Sequence, residues 1–198
     1  MTKFSRLTRL LLILATITFI FSMAACTDSD FPKAEESVNG FFKSLSEADF
    51  KTAETYCVSD TGSFAFTDPK EEKLAKLIFS KTKCEIISSV EEGDTATVKV
   101  KVTNLDLQKI FEEIFGKIFG EAFDSALEGE EMSDEESKEM IMKYLEESIS
   151  NPAASVLTKE FEIILNKDNG KKMWVIKDND ALVNNLTGNL NEMLGQIK

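Results

Sequence analysis

The spacing of apolar residues changes several times along the chain, and each change marks an element. Over residues 33–45, Ala34, Val38, Phe41, Phe42 and Leu45 recur at helical spacing, with Asp30 and Pro32 where an N-terminus uses them. Ser46-Glu47-Ala48-Asp49 interrupts this pattern, and Phe50, Ala53 and Cys57 mark one face of a second, short helix. Residues 58–69, with Gly62 and Pro69, read as a loop; Leu74, Leu77 and Ile78 predict a third helix over 70–81. The period then falls from 3.6 to 2. Thr95 to Thr103 alternates cleanly, with Ala96, Val98, Val100 and Val102 on one side, as a half-buried strand does.

Residues 84–91 are the expected hairpin partner of that strand, joined through Glu92-Gly93-Asp94. A three-residue loop pairs Val90 with Ala96, Ile86 with Val100 and Cys84 with Val102, and turns Cys84 toward the core. A second hairpin, 159–166 with 171–177, flanks Asn169-Gly170. A two-residue turn there pairs Leu165 with Trp174 and Ile163 with Ile176, so that Phe161, Ile163, Leu165, Trp174 and Ile176 share a face. A last helix over about 179–195 carries Leu182, Val183, Leu186, Leu190 and Leu194, and Asp178-Asn179-Asp180 caps it rather than binding metal.

Between the hairpins, residues 106–150 read as a helical pair. Ile110/Phe111, Ile114/Phe115, Ile118/Phe119 and Ala122/Phe123 repeat every four residues and form a wide apolar stripe. Glu128 to Glu131 breaks the first helix, Ser133-Asp134-Glu135-Glu136 is a capping box for the second, and Pro152 follows its end. The plain expectation is that the stripe packs on the sheet or on helix 133–150. The alternative is that Phe111, Phe115, Phe119 and Phe123 form a pocket wall or groove for an apolar ligand or a protein partner.

Ahead of these elements, Lys3, Arg6 and Arg9 precede the apolar run Leu10 to Phe21. At a rise of about 1.5 Å per residue this run reaches about 18 Å, short of a hydrocarbon core of about 30 Å. Basic start, short apolar run and small residues make a secretory leader over residues 1–25. Met23-Ala24-Ala25-Cys26 resembles a bacterial lipobox, in which the cysteine is lipid-modified after cleavage before it. Cys26 is then the attachment point to the cell membrane, on its extracytoplasmic face, and residues 26–31 are a short tether. The other reading is simple secretion with Cys26 as a free thiol.

Charge sharpens this picture. The chain of 198 residues has a net charge of −12, which becomes −15 without residues 1–25. Fourteen acidic and four basic residues fall in 106–150 alone, so the acidity is localised. An acidic domain argues against nucleic-acid binding, because phosphate contacts need a basic face. The absence of histidine excludes Ser-His and Cys-His nucleophile pairs and His-containing zinc sites. The acidic run Glu128 to Glu139 lacks the spacing of a calcium loop and reads as a solvated face, so no metal or cofactor is expected. Cys57 and Cys84 both fall on inward positions, either as a disulfide, permitted outside the membrane, or as two buried thiols.

These elements make an α+β domain over 32–198 with a helical insertion at 106–150. The helices reading Val38-Asn39-Gly40-Phe41-Phe42-Lys43-Ser44-Leu45, then Asp49-Phe50, Ala53 and Tyr56, with a late hairpin ending Met173-Trp174-Val175-Ile176, resemble the nuclear transport factor 2-like (cystatin-like) superfamily. More narrowly, the chain is similar to Gram-positive lipoproteins that carry such a domain with a helical insertion. The resemblance implies a strongly curved antiparallel sheet wrapped around the N-terminal helices, leaving a conical cavity. That superfamily holds isomerases, dehydratases and pure binding domains, so the fold alone does not give function. Its enzymes place an acid or base in the cone, often with a tyrosine. Here that would be Tyr56, with Asp49, Asp60 or Glu160 as partner. No diagnostic spacing ties these residues together, and the expectation is a non-catalytic binding module, with a Tyr56-based isomerase or dehydratase as the alternative.

Overall fold

Three helices lead into the sheet. The computed structural model describes residues 31–58, 66, 68–128, 133–177 and 180–187. Residues 33–198 form one compact unit apart from residues 1–32, and the description concerns that unit. Helix α1 spans Ala34–Ser46, α2 Phe50–Thr55 and α3 Pro69–Phe79. Strands β1 (Lys83–Glu92) and β2 (Thr95–Leu105) follow, then α4 (Leu107–Glu128) and α5 (Asp134–Ser150). Strands β3 (Val156–Asp168) and β4 (Met173–Ile176) and helix α6 (Asp180–Leu186) complete the described chain. The strands form an open antiparallel sheet in the order β1-β2-β3-β4.

One face of the sheet makes the core. Ala96, Val98, Val100 and Val102 of β2, Ile163 and Leu165 of β3, and Trp174 and Ile176 of β4 are buried, as are Ala34, Val38, Phe41 and Leu45 of α1. The other face is polar, with Lys99 paired to Glu160 at 2.9 Å and Lys101 to Glu85 at 3.1 Å. Helix α1 ends in a Schellman motif: the Ala48 and Asp49 amides donate to Leu45 and Ser44 carbonyls, and Ala48 takes φ 59°.

The first hairpin departs from the expected loop. The turn holds two residues, with Glu92 opposite Thr95 and Gly93 at φ 61°, the first central position that favours glycine. A bulge at Ile87 then adds one residue to β1, which restores Ile86 opposite Val100 and Cys84 opposite Val102. Between turn and bulge the facing is inverted relative to expectation. Val90 pairs with Thr97 and is exposed, while Glu91 pairs with Ala96. The inversion has a use: Glu91 Oε1 accepts the Ala34 amide at 2.8 Å, at a helix start whose N-cap, Lys33, has no capping side chain.

The second hairpin also differs. Asp168 pairs with Met173 and Leu165 with Ile176, so the loop holds four residues, and Lys172 rather than Gly170 takes positive φ (54°). The Asp168 carboxylate accepts the Gly170 and Lys171 amides, each at 2.9 Å, which stabilises the wider loop. The register moves by two residues from the expected pairing, and an even shift leaves each side chain on its face. Leu165, Ile163, Trp174 and Ile176 therefore share the buried face despite the different turn.

The inserted helices build a second core at their base. Leu105, Leu107, Ile110, Ile114, Leu145 and Ile149 are buried together, and Leu74, Leu77 and Ile78 of α3 pack against them. Lys73 of α3 pairs with Glu146 of α5 at 2.8 Å. The capping box at Ser133 is formed in both directions.

Candidate functional site

Beyond its base, α4 turns an apolar strip to solvent. Its residues advance by about 100° each, so a residue every fourth position drifts about 40° around the axis. The isoleucines of the doublets face inward, Ile110 and Ile114 buried and Ile118 half-buried. Phe111, one position on, is half-buried, and the drift carries its successors outward. Phe115, Phe119 and Phe123 are 66%, 73% and 57% exposed, and Leu127 is 73% exposed. The expectation that the whole doublet stripe packs inward is therefore corrected: the isoleucines and Phe111 pack on the base core, and Phe115, Phe119 and Phe123 do not. The physical reason is width. Doublets cover a broad arc of the helix, and α5 with the base core cover only part of it.

The inner side of this helical pair is held by polar contacts. The Tyr144 hydroxyl donates to Glu121 Oε1, and the Lys117 ammonium lies 5.5 Å from the centre of the Tyr144 ring. On the outer side, Gly116 and Gly120 stand beside the ladder, and a Cβ at either would meet nothing within 4 Å.

Tyr56 lies elsewhere. It is half-buried at the end of α2, and its phenol occupies the space left by Gly40 of α1, where any Cβ would overlap it. Its carbonyl accepts the Ile176 amide at 2.7 Å. The two described partners, Asp49 and Glu160, bond elsewhere. Asp49 caps α2, accepting the Thr52 amide at 3.1 Å, and hydrogen bonds from Thr52 hold its carboxyl below the usual range. Glu160 sits on the polar face of the sheet in its pair with Lys99. Asp60 lies outside the described residues. Ala48, Asp49, Phe50, Lys51, Phe66 and Glu72 line an open depression of about 340 Å³, without Tyr56. The buried side of the sheet at α1 is packed by Phe41, Leu45 and Trp174.

Of the two readings of Cys57 and Cys84, the structure has two half-buried thiols. Cys57 bridges to Ile176 on β4, while Cys84 is on β1 at the opposite edge. Four strand spacings of about 4.8 Å separate them by about 19 Å, against the 4.4–6.8 Å that a disulfide spans. Burial pushes the Cys84 thiol up to about 12, with Glu85 adding to the shift. Among the described residues no group of acidic or cysteine side chains could hold a metal ion, and no helix is long and apolar enough to cross a membrane. Residues 1–25, Cys26, Asp178, Asn179, Leu190 and Leu194 lie outside the described residues.

Comparison with known proteins is sparse. No protein-family model matches the chain, and no curated protein is similar to it in sequence. Among solved structures it is similar to YcdA of Bacillus subtilis, described as a lipoprotein candidate, at 16% identity and a TM-score of 0.44. The likeness covers 79% of this chain, which spans 46% of that one.

Proposed function

We propose that the protein is an extracytoplasmic lipoprotein, anchored through Cys26, that works as a non-catalytic binding module. The contact is carried by the ladder Phe115-Phe119-Phe123 on α4. The single observation behind this is that three phenylalanines in a row, each more than half exposed, stand on one helix face. Isolated apolar side chains on a surface need no explanation, but a contiguous strip of aromatic rings in water is costly unless something covers it. Aromatic residues are also those that anchor protein contacts. The anchoring half of the proposal rests on the basic start, the short apolar run and Met23-Ala24-Ala25-Cys26. We read the domain as nuclear transport factor 2-like on the order of its elements, three helices followed by an antiparallel sheet whose late hairpin ends in Trp174 and Ile176.

Two measurements test this. Cys26→Ala should release the protein from membranes or leave it unprocessed, and unchanged membrane fractionation overturns the anchor. Replacing Phe115, Phe119 and Phe123 together by Ser should abolish the adducts that formaldehyde forms with the full chain in intact membranes. An unchanged adduct pattern, with helicity preserved, overturns the ladder as the contact.

A further inference from the structure

We infer that the ladder is covered by the ladder of a second copy of this chain, packed antiparallel about a two-fold axis near Phe119. The inference deepens the reading of α4 as a contact surface and rests on it.

Three features of α4 point to a self-contact. The first is shape. Phe115 and Phe123 lie within about 40° of Phe119 around the helix axis. Gly116 and Gly120 run alongside, with open space where their Cβ atoms would be. Rings standing beside gaps make a surface of knobs and holes that fits its own rotated copy. An isologous pair needs that self-complementarity, and the antiparallel arrangement sets Phe115 of one copy against Phe123 of the other.

The second is charge. Between residues 115 and 127 the charged side chains are Lys117, Glu121 and Asp124, all on the far side, about 140–160° from Phe119. The strip from Phe115 to Phe123 is neutral, so two acidic hairpins can meet along it with one carboxylate per copy at its edge: Glu112, in line with the ladder, which accepts from Gln108 Nε2 at 3.1 Å. A lipid surface fits less well. Helices that lie in a membrane interface carry Lys and Arg on their polar side, whereas residues 106–150 hold fourteen acidic and four basic residues.

The third is area. At about 200 Å² for each ring, the three phenylalanines expose about 400 Å² per copy. Two copies would cover about 800 Å² from rings alone. Leu127, Ala122 and the two glycines carry the total past the roughly 1,000 Å² that a specific interface requires.

The test is cysteine cross-linking of the full chain in the membranes of producing cells, with copper phenanthroline as oxidant and the unsubstituted chain as reference. Phe119→Cys should give an adduct at twice the chain mass. A tagged Phe115→Cys chain should cross-link to an untagged Phe123→Cys chain several-fold more than either does to itself. Lys117→Cys, on the far side, should stay monomeric. Gly116→Leu with Gly120→Leu should remove the Phe119→Cys adduct at unchanged helicity, because the substituted side chains fill the gaps but meet nothing within their own copy. An adduct of Phe119→Cys at a mass other than twice the chain, or equal cross-linking from Lys117→Cys, overturns the second copy as the occupant and leaves the contact surface standing. No adduct from positions 115, 119 or 123 also overturns the second copy, since oxidation joins only two thiols; the contact surface itself falls only if the formaldehyde pattern of the triple serine variant is unchanged.

Discussion

Two residues on one helix should respond very differently to the same truncation. Ile114 is 1% exposed at the base of the helical pair, and Phe119, little more than a turn later, is 73% exposed. Ile114→Ala removes buried carbon and leaves a cavity among Leu105, Leu145 and Ile149, a change that costs about 2–5 kcal/mol. For a domain of this size, each kcal/mol moves Tm by about 2–4 °C, so the expected fall is about 6–12 °C for a loss near 3 kcal/mol. Full burial of a phenylalanine contributes about 1.5–3 kcal/mol, and only about a quarter of Phe119 is covered, which leaves about 0.4–0.8 kcal/mol to lose. Alanine's higher helix propensity returns about 0.5 kcal/mol, so Phe119→Ala should be close to neutral. Urea unfolding followed by fluorescence reads both, because the only tryptophan, Trp174, is buried in the sheet core and reports global unfolding. A loss above about 2 kcal/mol for Phe119→Ala would mean the ladder is core, and would refute the reading of it as a contact surface.

Further outcomes follow from other sites. Ala48→Gly should raise stability by about 1 kcal/mol in the same assay, since the left-handed conformation at φ 59° suits glycine; a loss would refute the strain argument. Cys84 should label with maleimide at pH 8 about a thousand-fold more slowly than an unperturbed thiol, because a thiol at about 12 supplies so much less thiolate; labelling at the ordinary rate would contradict its burial. Because its thiol is raised, the contribution of Cys84 is intact below about 9 and is lost as pH climbs from there toward 12. At α5, hydrogen bonds from Ser133 lower the Glu136 carboxyl, so the capping box is intact above the ordinary carboxylate range and is lost as pH falls through and below it. Protection of the Ser133 and Glu136 amides, taken relative to the intrinsic exchange rate at each pH, should therefore fall in acid, and Ser133→Ala should abolish that pH response at Glu136. Thr82 is buried and its hydroxyl has no partner among the described residues, so Thr82→Val should be neutral or stabilising by up to about 1 kcal/mol; a clear loss would imply a bound water at the hydroxyl.

Much of the fold is legible in local pattern. Period alone separates the first three helices from β2, and the capping box at Ser133 marks the start of α5 to the residue. The errors are instructive because they concern turns. At Glu92 to Thr95 a two-residue turn plus a bulge replaces a three-residue loop, and the two give the same facing beyond Ile87. A bulge leaves no periodic mark in a strand as short as Ile86 to Glu92. At Asp168 to Met173, Asn-Gly suggests a tight turn, but the Asp168 carboxylate gathers the Gly170 and Lys171 amides into a wider one. Neither error moves the core, because a residue lost from the turn and regained at the bulge, or a shift by two, conserves parity.

The candidate site divides along the same line. The sequence by itself determines that α4 is a helix with a doublet every four residues, that its surroundings are acidic and that histidine chemistry is absent. These are local properties: periodicity, charge and composition are written residue by residue. It does not determine which half of each doublet is covered, nor that Cys57 and Cys84 stand at opposite edges of the sheet, nor that Tyr56 fills the space above Gly40 rather than facing a carboxylate. Those depend on what the chain brings up from far away. Burial is a property of two surfaces, and α5 and α3 cover the isoleucine side of α4 only as far as the base, leaving Phe115, Phe119 and Phe123 in water.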